Sequence, residues 1–268
     1  MNGASTLGLA LAVHNAGAFP SISSYCYTDN QLLIDDLAAY TKLTNSAELL
    51  LSLDWNTLLD PQVFKAINQL KISHVTFMSD PIYDEYRKKK AAHLSSYLNC
   101  KRVKIIFSAD EVEPSVALLL KGSEGAGRPG QLTTKDFFIS LKSLDAPLVP
   151  MGGIATAEQV RYYITNGAAM VSVGTAFAAA KESVLSDATK QAIVAAKKDN
   201  ISAIDNNLNQ NSLVFSKLDI EDDDNNTHSL LQGIKGNTSG HIFAGYGVEH
   251  IKEIKSVSDI VMELISEL

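Results

Sequence analysis

The chain has 268 residues, of which 46% are apolar and 20% charged, an ordinary globular composition that fits one barrel or two small domains. Its formal net charge of −7 and pI near 5.4 speak against nucleic acid as a partner, which needs a basic face. No segment reaches the ~20 consecutive apolar residues that span a bilayer. Two cysteines, Cys26 and Cys100, are too few for a disulfide framework, so a reduced, cytoplasmic setting is expected.

In chain order, Ser5–Asn15 reads as an amphipathic helix with Ser5 or Thr6 as N-cap and Gly17 closing it. It lacks a basic leader, and His14-Asn15 interrupts its apolar run, so it is not a signal peptide. Ala18–Ser23 is a strand, and Thr28–Thr41 a helix with Leu32, Leu33, Leu37 and Tyr40 on one face. Glu48–Leu53 is a strand, Pro61–Gln69 a helix, His74–Met78 a strand and Ile82–Leu98 a long helix. The run Arg87-Lys88-Lys89-Lys90 reads as a solvated face of that helix. Val103–Phe107 and Val116–Lys121 are strands, Thr134–Leu144 a helix, Leu148–Met151 a strand, Ala157–Asn166 a helix and Ala169–Val173 a strand. Apolar strands alternating with helices imply an α/β fold with a helix-covered parallel sheet.

Two departures from a complete (β/α)8 barrel are legible. The first helix has no strand before it, so strand 1 is expected immediately before Met1, through a late reading-frame start or because the chain is a fragment. A parallel crossover takes a dozen or more residues, yet Ser108–Ser115 is shorter than that, so the helix there is reduced to a loop. After Lys181 the rhythm stops. Ser186–Lys198 is helical, and acidic, Asn-rich sequence follows, including Asp205-Asn206-Asn207 and Glu221-Asp222-Asp223-Asp224-Asn225-Asn226. This is a solvated insertion or a substrate lid, and it lacks the spacing of a calcium loop. Gly240–Gly247 is glycine-rich, and Ser258–Leu268 is a final amphipathic helix. The expected division is a barrel over 1–180, a lid over 181–240 and a return segment with its helix over 241–268.

The chemistry lies in glycine turns. Pro147-Leu148-Val149-Pro150-Met151-Gly152-Gly153-Ile154 and Ala168-Ala169-Met170-Val171-Ser172-Val173-Gly174-Thr175-Ala176-Phe177 each close an apolar run. Glycines after parallel strands let backbone N–H groups approach an anion, and the following helix starts add their positive ends. Gly152, Gly153, Gly174 and Thr175 therefore read as a phosphate cradle of the kind barrels build after strands 7 and 8. After Val116–Leu120 comes Lys121-Gly122-Ser123-Glu124-Gly125-Ala126-Gly127-Arg128-Pro129-Gly130, a loop open enough for a flat ligand to lie against backbone. Lys121 ends its strand, where barrel side chains reach the mouth.

These motifs, in this order, resemble the nitronate monooxygenase (2-nitropropane dioxygenase-like) family of FMN-dependent TIM barrels. Met1-Asn2-Gly3-Ala4-Ser5-Thr6 resembles the family's segment after strand 1, Asn15-Ala16-Gly17 its Asn-Ala-Gly turn, and Gly122–Gly130 its Gly-x-Glu-Ala-Gly-Gly-His-x-Gly loop. Met151-Gly152-Gly153-Ile154 and Gly174-Thr175-Ala176-Phe177 resemble its phosphate loops, and Phe243-Ala244-Gly245-Tyr246-Gly247 its late Ala-Gly-Gln segment. The resemblance implies FMN, with its phosphate on Gly152, Gly153, Gly174 and Thr175. Gly122, Ala126 and Gly127 would approach the ring, with Met1, Asn2, Ser52, Lys121 and Tyr246 as further contacts. Ser52 stands at the family's strand-3 Asn and Lys121 where many members carry Gln. Arg128 stands where the family carries a histidine. Arginine is not a proton acceptor, but it can hold nitronate, carboxylate or phosphate oxygens in a forked pair of bonds. Arg128 and Lys121 are the candidate catalytic residues. His14, His74, His93, His228 and His250 read as structural or surface groups, with His241 the least improbable exception.

The resemblance implies an oxidoreductase that oxidises alkyl nitronates with molecular oxygen. The alternatives are an FMN-dependent enoyl-ACP reductase-like enzyme using NAD(P)H and an acyl thioester, or a degenerate, non-catalytic member. A sugar-phosphate barrel enzyme shares the phosphate turns but not the Gly122–Gly130 loop.

Overall fold

The computed structural model describes residues 4–54, 57, 59–77, 93, 96–113, 116–206, 210–215 and 242–268. The apolar runs become β1 (Ser21–Ser23), β2 (Leu50–Leu53), β3 (His74–Phe77), β4 (Lys101–Ile106), β5 (Ala117–Lys121) and β6 (Leu148–Met151). They form one sheet in chain order, every pair parallel, which is barrel topology. The helices are α1 (Leu7–Asn15), α2 (Asn30–Thr44), α3 (Pro61–Leu70), α4 (Thr134–Leu141), α5 (Ala157–Thr165), α6 (Thr175–Ala178), α7 (Asp187–Ala195) and α8 (Val257–Ile265).

The helix starts follow local chemistry. Asp29, Asp60, Thr133, Ser186 and Ser256 accept bonds from N–H groups in the first turns of α2, α3, α4, α7 and α8. Thr156 and Gln159 form a capping box on α5. Thr6 stands at the N-cap of α1, but its side chain makes no cap bond.

Strand alternation sorts the side chains onto two faces. Ile22, Leu51 and Val75 bury with Leu33, Leu37 and Tyr40 of α2 and Val63 and Ile67 of α3. Leu118, Leu120 and Leu148 bury with Phe137 and Phe138 of α4. Helix α1 joins the two cores, with Leu9 and Val13 in one and Ala10 in the other. The intervening residues, among them Ser23, Ser52, Thr76, Val103, Leu119 and Lys121, face the inside of the curled sheet.

The parallel, barrel-type sheet and its shortened crossover match the sequence expectation, with six strands in the sheet where seven were read. Among the described residues between β4 and β5 there is only a 3-10 turn, Ala109–Glu111, tied back by Lys104 Nζ donating to Glu111 O at 2.7 Å. The structure corrects two readings and adds a hairpin that the sequence reading did not name. Ala169–Val173 is not a strand, because its ladder reduces to one parallel bridge, Met151↔Ser172, at the sheet's outer side beyond β6. Leu32 is 53% exposed, since the buried face of α2 runs through Leu33, Leu37 and Tyr40. The expected lid contains an antiparallel pair, β7 (Ile201–Asn206) and β8 (Gln210–Phe215). Most of the helix read over 82–98, with its basic run, lies outside the described residues, as do Met1, Asn2, His228, His241 and the acidic run at 221–226. Among the described residues no helix is long and apolar enough to cross a membrane.

Phe137 is fully enclosed whereas Leu32 is not. Chemical denaturation should show Phe137→Ala losing about 3–5 kcal/mol and Leu32→Ala staying within about 0.5 kcal/mol of wild type.

Candidate functional site

The carboxyl ends of β5 and β6 carry the two loops read as ligand-binding, and the structure packs them against each other. Gly122 N donates to Met151 O at 2.9 Å and Gly130 N to Gly122 O at 3.2 Å, folding the loop 122–130 back on its own start. A Cβ on Gly130 would lie 1.8 Å from Lys121 O, and one on Gly122 2.0 Å from the Thr134 hydroxyl. Gly152 and Gly153 adopt φ +126° and +70°, which favour glycine, and a Cβ on Gly153 would strike Glu124 Cβ at 2.8 Å.

Glu124 organises this contact. Its Oε2 accepts from Thr134 N at 2.8 Å, at the start of α4, where the helix's positive end suits a carboxylate. The Thr134 hydroxyl lies 2.8 Å from Gly152 O and 3.1 Å from Glu124 Oε2; with one proton it donates to one of them at a time. Glu124 O accepts from Tyr246 N at 2.9 Å, and Gly245 N donates to the Thr175 hydroxyl at 3.1 Å. Gly122, Ala126, Gly127, Gly152, Gly153, Thr175 and Tyr246 thus belong to one cluster of turns.

Lys121 faces the interior, but its ammonium turns into its own loop and donates to Ala126 O at 2.6 Å. The residue as a whole is half-buried, yet its charged end is enclosed, and that burial pushes its pKa down to about 8. Arg128 sets its guanidinium 4.0 Å over the Phe107 ring, at the end of β4, a cation–π contact. Ser52 stands apart from the turns, on β2. Sequence reading missed Glu124 and Thr134 as organisers, although a Glu in the loop and a Thr at a helix start were visible.

His14 contacts Tyr40 edge to face, His74 sits on Phe19 at the opposite end of β3, and His93 packs on Tyr97. Burial lowers the His74 pKa. A cavity of about 520 Å³ lies elsewhere, lined by Lys181, Glu253, Lys255, Asp259 and Glu263 among others. Its charges pair internally, with Lys255 Nζ 2.5 Å from Glu263 Oε1.

The donor set fits a phosphate-bearing group. Among the described residues, the N–H groups of Gly153, Gly174 and Thr175 meet no backbone acceptor. Clustered unpaired N–H groups are suited to an anion.

A parallel sheet in chain order, with glycine turns at its carboxyl edge, is the architecture of a (β/α) barrel. The family model described as nitronate monooxygenase matches residues 108–211, the stretch from the shortened crossover to the hairpin. No curated protein sequence matches the chain. Among solved structures, FabK from Thermotoga maritima is similar at 23% identity with a TM-score of 0.82, over 100% of this chain and 90% of that one. A nitroalkane oxidase from Streptomyces ansochromogenes is similar at 16% identity and a TM-score of 0.72, over 99% and 92%. The enoyl reductase domain of MlnA from the macrolactin biosynthesis cluster of Bacillus amyloliquefaciens is similar at 11% and 0.67, over 99% and 91%. These structures share the fold. The family match over this stretch and the shared fold agree with the resemblance read from the sequence.

Two outcomes follow from the geometry. Thr134→Val removes the hydroxyl between Gly152 O and Glu124, and should lower stability by about 1–3 kcal/mol in a denaturant titration. Lys121 holds its proton less tightly folded than unfolded, so between pH about 8 and 10.5 the unfolded chain binds more protons and stability rises with pH. Melting temperatures across that window should climb for wild type relative to Lys121→Met.

Proposed function

We propose that the chain is an FMN-dependent oxidoreductase that oxidises alkyl nitronates with molecular oxygen. The cluster of unpaired N–H groups beside the 122–130 loop carries this reading, because it offers a phosphate seat next to a glycine-rich surface. Gly152, Gly153, Gly174 and Thr175 would hold the phosphate. Gly122, Ala126 and Gly127 would lie along the ring, with Met1, Asn2, Ser52, Lys121 and Tyr246 as further contacts. FMN, when bound, supplies the electron transfer between substrate and oxygen.

Arg128 is the substrate-binding group. Its fixed charge and planar fork suit the two oxygens of a nitro or nitronate group. It removes no proton, so the substrate arrives as the nitronate anion. Stacking on Phe107 fixes the plane of the fork. Lys121 is placed to favour negative charge on a reduced ring, its proton held at Nζ by Ala126 O.

A second reading, an enoyl reductase taking NAD(P)H and an acyl thioester, is favoured by the fold shared with the enoyl reductase domain. The division proposed is the FMN barrel over 1–180, a lid over 181–240 and a return segment over 241–268. A cytoplasmic setting fits two cysteines that are not joined in a disulfide.

The test is the visible spectrum of the purified chain with any released flavin identified, followed by nitronate turnover and by NAD(P)H-dependent enoyl thioester reduction. Bound FMN with nitronate oxidation is expected. Absence of flavin after adding FMN sinks the reading, and enoyl reduction alone moves it to the second. Arg128→Ala should raise KM for nitronate about tenfold while leaving FMN affinity unchanged.

A further inference from the structure

Two side chains on the inner face of the sheet are enclosed without a partner. Ser23, 2% exposed, and Thr76, 1% exposed, have hydroxyls that meet no hydrogen-bonding atom among the described residues, and the Thr6 hydroxyl is in the same state. Ser23 pairs with Ser52, and Ser52 with Thr76, in adjacent parallel strands. The three hydroxyl side chains therefore stand in one row, neighbours about 4.8 Å apart, near the carboxyl ends of β1, β2 and β3. The row continues into Val103 and Ala117, which carry no polar side-chain atom. Ser23 N donates to Ser5 O at 3.0 Å, which brings the Thr6 segment beside the row.

An unsatisfied buried hydroxyl is costly, and native proteins hold few of them. Two in one row point to a ligand that completes them. A hydroxyl both donates and accepts, so the row suits an edge on which carbonyls and an N–H alternate. Of the unpaired N–H groups, Gly153 follows β6, at the other end of the strand order from β1.

We propose that Ser23, Ser52 and Thr76 form the recognition row for the pyrimidine-like edge of the flavin ring, with Ser23 and Thr76 as its buried members. The proposal rests on the flavin reading above and assigns two residues that neither the turns nor the motifs touch. The row binds the ring and not the phosphate, so FMN and riboflavin depend on it equally.

The experiment is quenching of FMN and riboflavin fluorescence by wild type, by Ser23→Ala/Thr76→Val and by Thr76→Ser, with the melting temperature of each flavin-free protein. Expected is a loss of about tenfold or more in affinity for both flavins in the double variant, and near-wild-type affinity in Thr76→Ser. The flavin-free double variant should melt at the wild-type temperature or above, because it buries fewer unsatisfied hydroxyls. Unchanged flavin affinity in the double variant overturns the proposal, as does a loss for FMN alone. So does a lower flavin-free melting temperature, which would give the hydroxyls a structural role. Wild type that binds neither flavin overturns the flavin reading itself, and the row falls with it.

Discussion

Thr134 sits where three segments meet. Its N–H donates to Glu124, its hydroxyl lies between Glu124 and Gly152 O, and it opens α4. The hydroxyl has one proton and two acceptors, so the loop after β5 and the turn after β6 compete for it. The glycines around it allow that closeness, because a side chain at 122 or 152 would occupy the space the hydroxyl uses. The mouth of the sheet is therefore a mutual contact of turns, each shaped by the next, and the site inherits its form from that contact.

The chemistry proposed for the site divides along the same line. The turns after β5 and β6 are rich in backbone and short of side chains, which suits contact with a phosphate and a flat ring. Reactive side chains are few. Lys121 is drawn into its own loop, and Arg128 is set on Phe107. On the proposed reading, such a site would supply shape, hydrogen bonds and fixed positive charge, and would leave electron chemistry to a cofactor.

Much of this was legible in the amino-acid order. The strands of the sheet are buried between helices and a curled interior, so they read as apolar runs bounded by turn residues, and the glycine turns carry their own signature. Ala169–Val173 misled because an apolar run at the side of a sheet can lie along its neighbour through a single bridge. Leu32 misled because helical periodicity names a stripe but not its rotation against the sheet, and the stripe through Leu33 and Leu37 is the one that turns inward. Glu124 and Thr134 were invisible as partners because ten residues separate them in sequence and only the closing of the loop brings them together. Ser23 and Thr76 were hidden for the same reason, since strand register alone sets them beside Ser52.

The crowding at Gly122, Gly130 and Gly245 has a bearing on how relatives of this chain diverge. A methyl group at Gly130 meets a carbonyl oxygen of the backbone, and one at Gly245 meets Glu124 O at 2.4 Å, atoms that cannot move without unmaking the turns. Selection would hold these positions fixed in a descendant that had lost its ligand altogether, provided it still folded. An unchanging glycine here is thus a record of architecture and not of chemistry.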